Sequence, residues 1–414
     1  MIVQNGLSEC NNPVQTIFDE VEEKPVTSAP CPWRLTVLNS LSEALPYWQH
    51  LRTAGCRNPY QSSEWLSSWF ETIGKERKIE VAIAVVQIEE KPVAILPFAL
   101  ERGGLASTLT FLGHQNGNQN TGLWDLSFYG EVTKTQIEDI LRNVQKQTGA
   151  DVFSLSNIPE HWHGRPHPFL SAAATQSPSP IFVQDLPETF DTFFRETHSK
   201  SSRKNLLRKQ RHLQATGDYR VGKAVEPDEI NRAFRAFLDQ REKRAGEAGI
   251  PNAFSNPVAQ DFLAQLLGLK PFASGEATKS MDIWFLETGG AIRATYLCVE
   301  QDSTLYAYSN SVAHDDMLPN SPGLVLIKEI IEYACGSPQI EVLDLGLGEE
   351  RYKTAWTKAV PLKDLALAFT WKGILRQKQN ALRLRIKTGI RNSDALWPLV
   401  RRLRKLKAGL GNRG

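Results

Sequence analysis

Short, mostly apolar runs of strand length, separated by polar or Gly-containing turns, recur in two well-separated blocks of this chain. Residues 81–88, 91–101 and 108–113 form the first block, and 281–287, 291–300 and 304–310 the second. Apolar runs of this length bounded by turn signals read as strands, so each block predicts a three-strand meander. Glu89-Glu90-Lys91 and Gly289-Gly290 supply turns. Helical spacing appears over 42–54, 133–148 and 227–245, the last with Ile230, Phe234, Phe237 and Leu238 on one face. Ser62 or Ser63 caps a short helix whose Trp65, Leu66, Trp69 and Phe70 share a side. Residues 187–215 read as helices, 34–40, 152–156 and 219–225 as strands, and 177–180 as a Pro-rich loop. The second half therefore repeats the plan of the first: helices, a meander, a helix, a strand.

The densest signal lies between Leu305 and Trp356. Tyr306 and Tyr308 alternate with Leu305, Ala307 and Ser309 in a strand that runs into a polar loop ending Asn320-Ser321-Pro322-Gly323. An apolar helix over 324–334 follows, then a strand over 341–345 that breaks at Gly346 and Gly348. Ser321 suits an N-cap and Pro322 the first helical turn. Gly323 lets a ligand approach the backbone closely. The amides of Gly323 and Leu324 then become candidate donors to a phosphate or pyrophosphate, because a helix start concentrates free N–H groups. The plainer reading of the trio is an ordinary capped helix.

Two charged segments extend this site. At 3.6 residues per turn, Lys200, Arg203, Lys204, Arg208 and Arg211 fall on one broad stripe, with no Asp or Glu between Ser199 and Ala215. So dense a stripe favours a polyanion; its plainer reading is a solvated helix face. After the last core strand, Arg351 and Lys353 are candidate phosphate partners. Tyr352 is a candidate general acid, since a phenol of pKa about 10 holds its proton at neutral pH. Asp344, Glu349 or Glu350 is the candidate base or acceptor-orienting group. Cys298 and Cys335 have no neighbouring His, and His161, His163 and His167 lack cysteines or clustered carboxylates, so neither a thiol nucleophile nor a metal site is expected. Tyr60, Gln61 and Trp65 read as packing residues.

Charge is split along the chain. From Lys372 onward there are 13 Lys and Arg against the single acid Asp394, which leaves residues 1–371 with 35 basic and 45 acidic residues. Leucines and isoleucines interleave with the tail's cations, the pattern of a basic amphipathic helix, broken at Pro398. Residues 372–414 are thus expected to meet an anionic membrane surface or the acidic body. Nucleic acid ranks last, since few aromatics interleave. The polar, Pro- and Glu-containing residues 1–33 read as a disordered leader. Five scattered cysteines, no signal-peptide pattern and no long apolar run fit a cytoplasmic protein.

Three passages carry a family likeness: PYQSSEWLSSWF from Pro59, SKSSRKNLLRKQRHL from Ser199, and the pair SPGLVLIKEII and DLGLGEERYKTAW from Ser321 and Asp344. Their order and spacing resemble GNAT-type acyltransferases. More closely they resemble the branch associated with bacterial cellulose and exopolysaccharide synthesis, which is related to the Fem-type aminoacyl transferases. The resemblance implies an α/β fold of two GNAT-like halves, each a mixed, mostly antiparallel sheet flanked by helices, over 34–185 and 186–371. It implies acetyl-coenzyme A at Ser321, Gly323 and Leu324, and a polysaccharide or glycolipid precursor as acceptor. It gives Tyr352 the task of returning a proton to the leaving thiolate. Two other readings stay open. One is a Fem-like transferase using aminoacyl-tRNA, although no heptad arm is present. The other is a non-catalytic, membrane-associated scaffold of a polysaccharide synthase.

Overall fold

The structure, a computed structural model, describes residues 33–170, 174–273, 275 and 278–391. The expected leader, except for Trp33, and the tail beyond Arg391 lie outside the described residues.

Both meanders form, and each seeds a mixed sheet. The first sheet runs Trp33–Leu38, Glu80–Ile88, Lys91–Glu101, Thr108–Phe111, Val152–Pro159, Leu362–Ala368, Ala174–Gln176. The second runs Arg220–Lys223, Asp282–Thr288, Ala291–Gln301, Thr304–Val312, Val342–Leu347, Ile181–Asp185, Lys358–Val360. Along each of these paths one neighbouring pair is parallel, and it occupies the same place in both: Thr108–Phe111 with Val152–Pro159, and Thr304–Val312 with Val342–Leu347.

The halves exchange strands. Ile181–Asp185 pairs with Val342–Leu347 in the second sheet, while Leu362–Ala368 pairs with Val152–Pro159 in the first. A boundary at 185/186 therefore does not separate the hydrogen-bonded sheets.

Packing welds the halves further. One face of the second sheet meets the Pro322–Gly336 helix and the helices Phe190–Thr197 and Lys200–Ala215 around Leu343, Leu345 and Trp356. Its other face shares a core with the first sheet. There Phe234, Phe237 and Phe262 pack with Trp48, Trp65 and Trp69. Ser62 caps the Ser63–Trp69 helix, accepting from the Trp65 amide at 3.2 Å, which turns Trp65 inward. The Trp65 ring meets Tyr60, Phe262 and Tyr308 edge-on. A third cluster lies between the first sheet and the Lys134–Thr148 helix.

The last helix, Trp371–Arg391, starts against the first sheet. A Cβ at Gly373 would fall 2.1 Å from the Asp151 carbonyl oxygen, so only glycine permits this approach. On this helix Trp371, Leu375 and Leu382 are 67%, 42% and 59% exposed. Spaced four and seven residues apart, they share a face that nothing in the described fold covers. No described helix is long and apolar enough to cross a membrane.

Candidate functional site

The parallel strands of the second sheet pair over only three positions, Thr304 with Val342, Leu305 with Leu343, and Tyr306 with Asp344. Beyond them the strands part. On one side, a register shift against Leu297 and Cys298 leaves Tyr308 as an extra residue, and such a bulge bends its strand. On the other, Gly346 takes φ +71°, with its amide held by Asp344 Oδ1 at 2.7 Å. A Cβ at Gly346 would meet the Asn118 side chain of the first half at 2.5 Å.

The Pro322–Gly336 helix begins beside this opening. Ser321 does not cap it, contrary to the sequence expectation. Ser321 sits at φ +50°, ψ +58°, a left-handed conformation that costs a non-glycine residue on the order of 1–3 kcal/mol. Its position before proline already disfavours the right-handed helical region. The Ser321 hydroxyl instead accepts from Lys209 Nζ at 2.6 Å. The Leu324 and Val325 amides turn back to the Ser321 carbonyl at 2.9 and 3.1 Å, leaving Gly323 at the first turn with no side-chain cap. The corresponding helix of the first half, Lys134–Thr148, is closed by a full capping box of Thr133 and Gln136.

Three cavities converge here. One of about 330 Å³ lies along the helix start, against Val312, Leu318, Ser321, Gly323 and Leu324. A second, about 660 Å³, opens between that helix, the basic helix and Trp356, lined by His198, Ser202, Asn205, Lys209 and Arg351 among others. The third, about 270 Å³, lies on the far side, between Tyr296, Tyr308, Asn310 and the end of the Pro227–Ala248 helix. Arg244, Glu350 and Tyr352 line all three.

Tyr352 thus stands at the junction. Its hydroxyl lies 2.9 Å from Tyr296 Oη and accepts from Asn310 Nδ2 at 3.0 Å. Burial and the nearby Glu350 carboxylate push the phenol above its ordinary pKa. The group is therefore protonated across the physiological range and is fitted to donate, not to take, a proton.

The other expected residues are dispersed. Asp344 is buried and lines none of the three cavities. Opposite in strand parity to Leu343 and Leu345, it faces the first half and accepts from Gln119 Nε2. Burial raises its pKa to about 6. Glu349 is exposed and lines none of them; its neighbour Glu350 does. Arg351 lines the large cavity. Lys353 lines the inner one, but its Nζ donates to the Leu347 carbonyl at 2.6 Å and burial lowers its pKa.

The cationic stripe faces outward. Lys200, Lys204, Arg208 and Arg211 are exposed and line none of the three cavities, and Arg203 donates to the His198 carbonyl at 2.5 Å. The side of this helix that enters the cleft carries Ser202, Asn205, Leu206 and Lys209. Lys209 was legible: it follows Leu206 by three and precedes Leu213 by four, on the buried side. Arg241 and Arg244, one turn apart at the end of the Pro227–Ala248 helix, had no such signal.

A family model described as an acetyltransferase (GNAT) domain matches residues 200–354, the segment that holds the cleft. No curated protein matches the sequence. Among solved structures, FemX superposes with a TM-score of 0.54 at 8% identity, covering 81% of this chain and 97% of that one. A conserved protein of unknown function from Bacteroides thetaiotaomicron superposes at 0.50 and 10% identity, covering 81% of this chain and 100% of that one. At such identities the likeness is one of fold: an α/β molecule of two GNAT-like halves, the second bearing the acetyltransferase-type domain.

Proposed function

We propose that the protein transfers an acyl group, acetyl in the first instance, from coenzyme A to an amine or hydroxyl of a polysaccharide or glycolipid precursor. One observation carries this reading. An uncapped helix start and the Tyr352 hydroxyl line adjoining cavities that share Arg244, Glu350 and Tyr352, beside parallel strands whose pairing ends at Tyr306 and Asp344. The acceptor class rests on the resemblance to the exopolysaccharide branch.

The residues present fit the coenzyme. The Gly323 turn and Lys209 would hold the pyrophosphate, and Val312, Leu318 and Leu324 give an apolar wall for the pantetheine arm. When bound, acyl-coenzyme A supplies an electrophilic thioester carbonyl and a thiolate leaving group. Tyr352 Oη gives a proton to the departing sulfur. Glu350 takes the proton that the attacking amine or hydroxyl loses, and returns it to Tyr352. Both act by position and electrostatics, with no enzyme nucleophile.

Titration calorimetry of the full chain with acetyl-coenzyme A tests the reading, which expects one-to-one binding. A second reading has its own observation. The outward cations Lys200, Lys204, Arg208 and Arg211 form no ion pair among the described residues, which favours a long polyanion such as aminoacyl-tRNA. Salt-dependent tRNA binding without coenzyme binding would move the donor to that class; binding of neither would leave the scaffold.

The tail reading also stays a proposal, supported by the uncovered Trp371, Leu375 and Leu382 flanked by Lys372, Arg376, Lys378 and Arg383. Cations near an anionic surface contribute about 1 kcal/mol each. Anionic vesicles should float the full chain but not one lacking residues 378–414, and high salt should release it. A full chain that stays unbound contradicts membrane attachment.

A further inference from the structure

The inner cavity is more selective than an amine or hydroxyl acceptor requires. Three cations, Arg241, Arg244 and Lys353, line it, against the single carboxylate Glu350. Lys353 is occupied by the Leu347 carbonyl. Arg241 is held rigidly: Nη1 donates to Ser309 Oγ at 3.1 Å and to the Asn310 carbonyl at 2.9 Å, and Nε reaches Asn252 Oδ1 at 3.4 Å. Its guanidinium lies over the rings of Phe237 and Phe254, 5.5 and 5.2 Å from their centroids.

All of those partners are neutral. Neither arginine forms an ion pair among the described residues, although Glu350 borders the same cavity. A charge withdrawn from water without an opposite charge is costly to keep. Burial, the larger cause, and repulsion from Arg244, three residues on, together depress the pKa of Arg241, and Tyr308 and Glu350 offset them only in part. Two guanidiniums on one helix face, one locked and one open, match the geometry of carboxylate or phosphate oxygens. Tyr352 and Glu350 border the same cavity.

We propose that the acceptor carries an anionic oxygen group, carboxylate or phosphate, which docks on Arg241 and Arg244 and sets its amine or hydroxyl beside Tyr352 and Glu350. This deepens the acyl-transfer reading and rests on it. Neutral sugars and neutral amines would bind poorly; acidic sugars, sugar phosphates or amino acids would bind well.

The test uses matched pairs titrated into coenzyme A-saturated full-length protein: glucosamine against glucosamine 6-phosphate, and alaninamide against alanine. The charged member of at least one pair should bind ten or more times tighter, and the pair that shows it separates phosphate from carboxylate. Arg241→Gln should shrink that gap at least tenfold while coenzyme A affinity stays within twofold, since of the three cavities Arg241 lines only the inner one. The wild-type comparison stands even if this variant folds poorly. Equal binding within both pairs, or binding of none of the four, overturns the anion site. If coenzyme A itself does not bind, the acyl-transfer reading falls. The pairs, run on the free protein, then decide the anion site separately.

Discussion

Replacing Tyr352 by Phe is expected to lower kcat for acyl transfer by about 100-fold or more, with coenzyme A affinity and melting temperature little changed. Positioned general acids contribute about 10²–10⁴-fold, so the lower bound is roughly 2.7 kcal/mol of barrier. Phe keeps the ring that lines all three cavities and removes only the hydroxyl shared with Tyr296 and Asn310. The loss should fall on kcat, because the proton moves only as the carbon–sulfur bond breaks. Steady-state release of free coenzyme A thiol reads it directly. A Tyr352→Phe enzyme with wild-type kcat would take the proton-donor role away from Tyr352.

The largest structural effect should come from separating the halves. A chain of residues 186–391 lacks Ile181–Asp185, the strand that pairs with Val342–Leu347 beside the cleft. It also leaves its own Leu362–Ala368 without Val152–Pro159. It would expose the core that Phe234, Phe237 and Phe262 share with Trp48, Trp65 and Trp69. Burying one large apolar side chain is worth about 1.5–3 kcal/mol, so losing several such contacts exceeds the net stability of a typical domain, about 5–15 kcal/mol. Circular dichroism of that fragment should show no cooperative thermal transition, whereas the full chain melts as one unit. A sharp melt of the fragment would mean that the second half folds alone and that the exchanged strands are incidental.

Much of this architecture was legible locally. Strand-length apolar runs between turns located all six meander strands, and Ser62 and Gly289-Gly290 mark a cap and a turn that form. What was not legible depends on partners distant in sequence. The segment LKDLALA alternates well enough for a strand, but nothing in it says that it joins the other half's sheet. Asp344 precedes Gly346 and Gly348, which suggests a site residue; its strand parity turns it to the first half, where its partner Gln119 lies 225 residues away in sequence. The basic helix is legible, and its charged stripe lies on the side away from the cleft. Charges cluster on a solvent face by default, so the cation that enters a site is the one among apolar neighbours, here Lys209 between Leu206 and Leu213. Ser321 reads as an N-cap by residue type, yet its left-handed backbone and its bond to Lys209 take its hydroxyl from the helix.

The central claim is that the second half's helix start holds a coenzyme. Gly323→Val is no clean probe of it, because a Cβ at 323 would fall 2.6 Å from Val312 Cγ2 and disturb packing whatever binds there. Leu324 is the better position: it is 39% exposed and lines both cavities on the coenzyme side. Leu324→Glu places a carboxylate in the apolar wall beside the proposed pyrophosphate position, repelling its charge, and leaves the apolar core intact. Calorimetric titration of acetyl-coenzyme A into the wild type and this variant is therefore the most direct measurement. The account predicts one site in the wild type and an affinity at least tenfold weaker in Leu324→Glu at an unchanged melting temperature. Equal affinities, or no binding to the wild type, would contradict it.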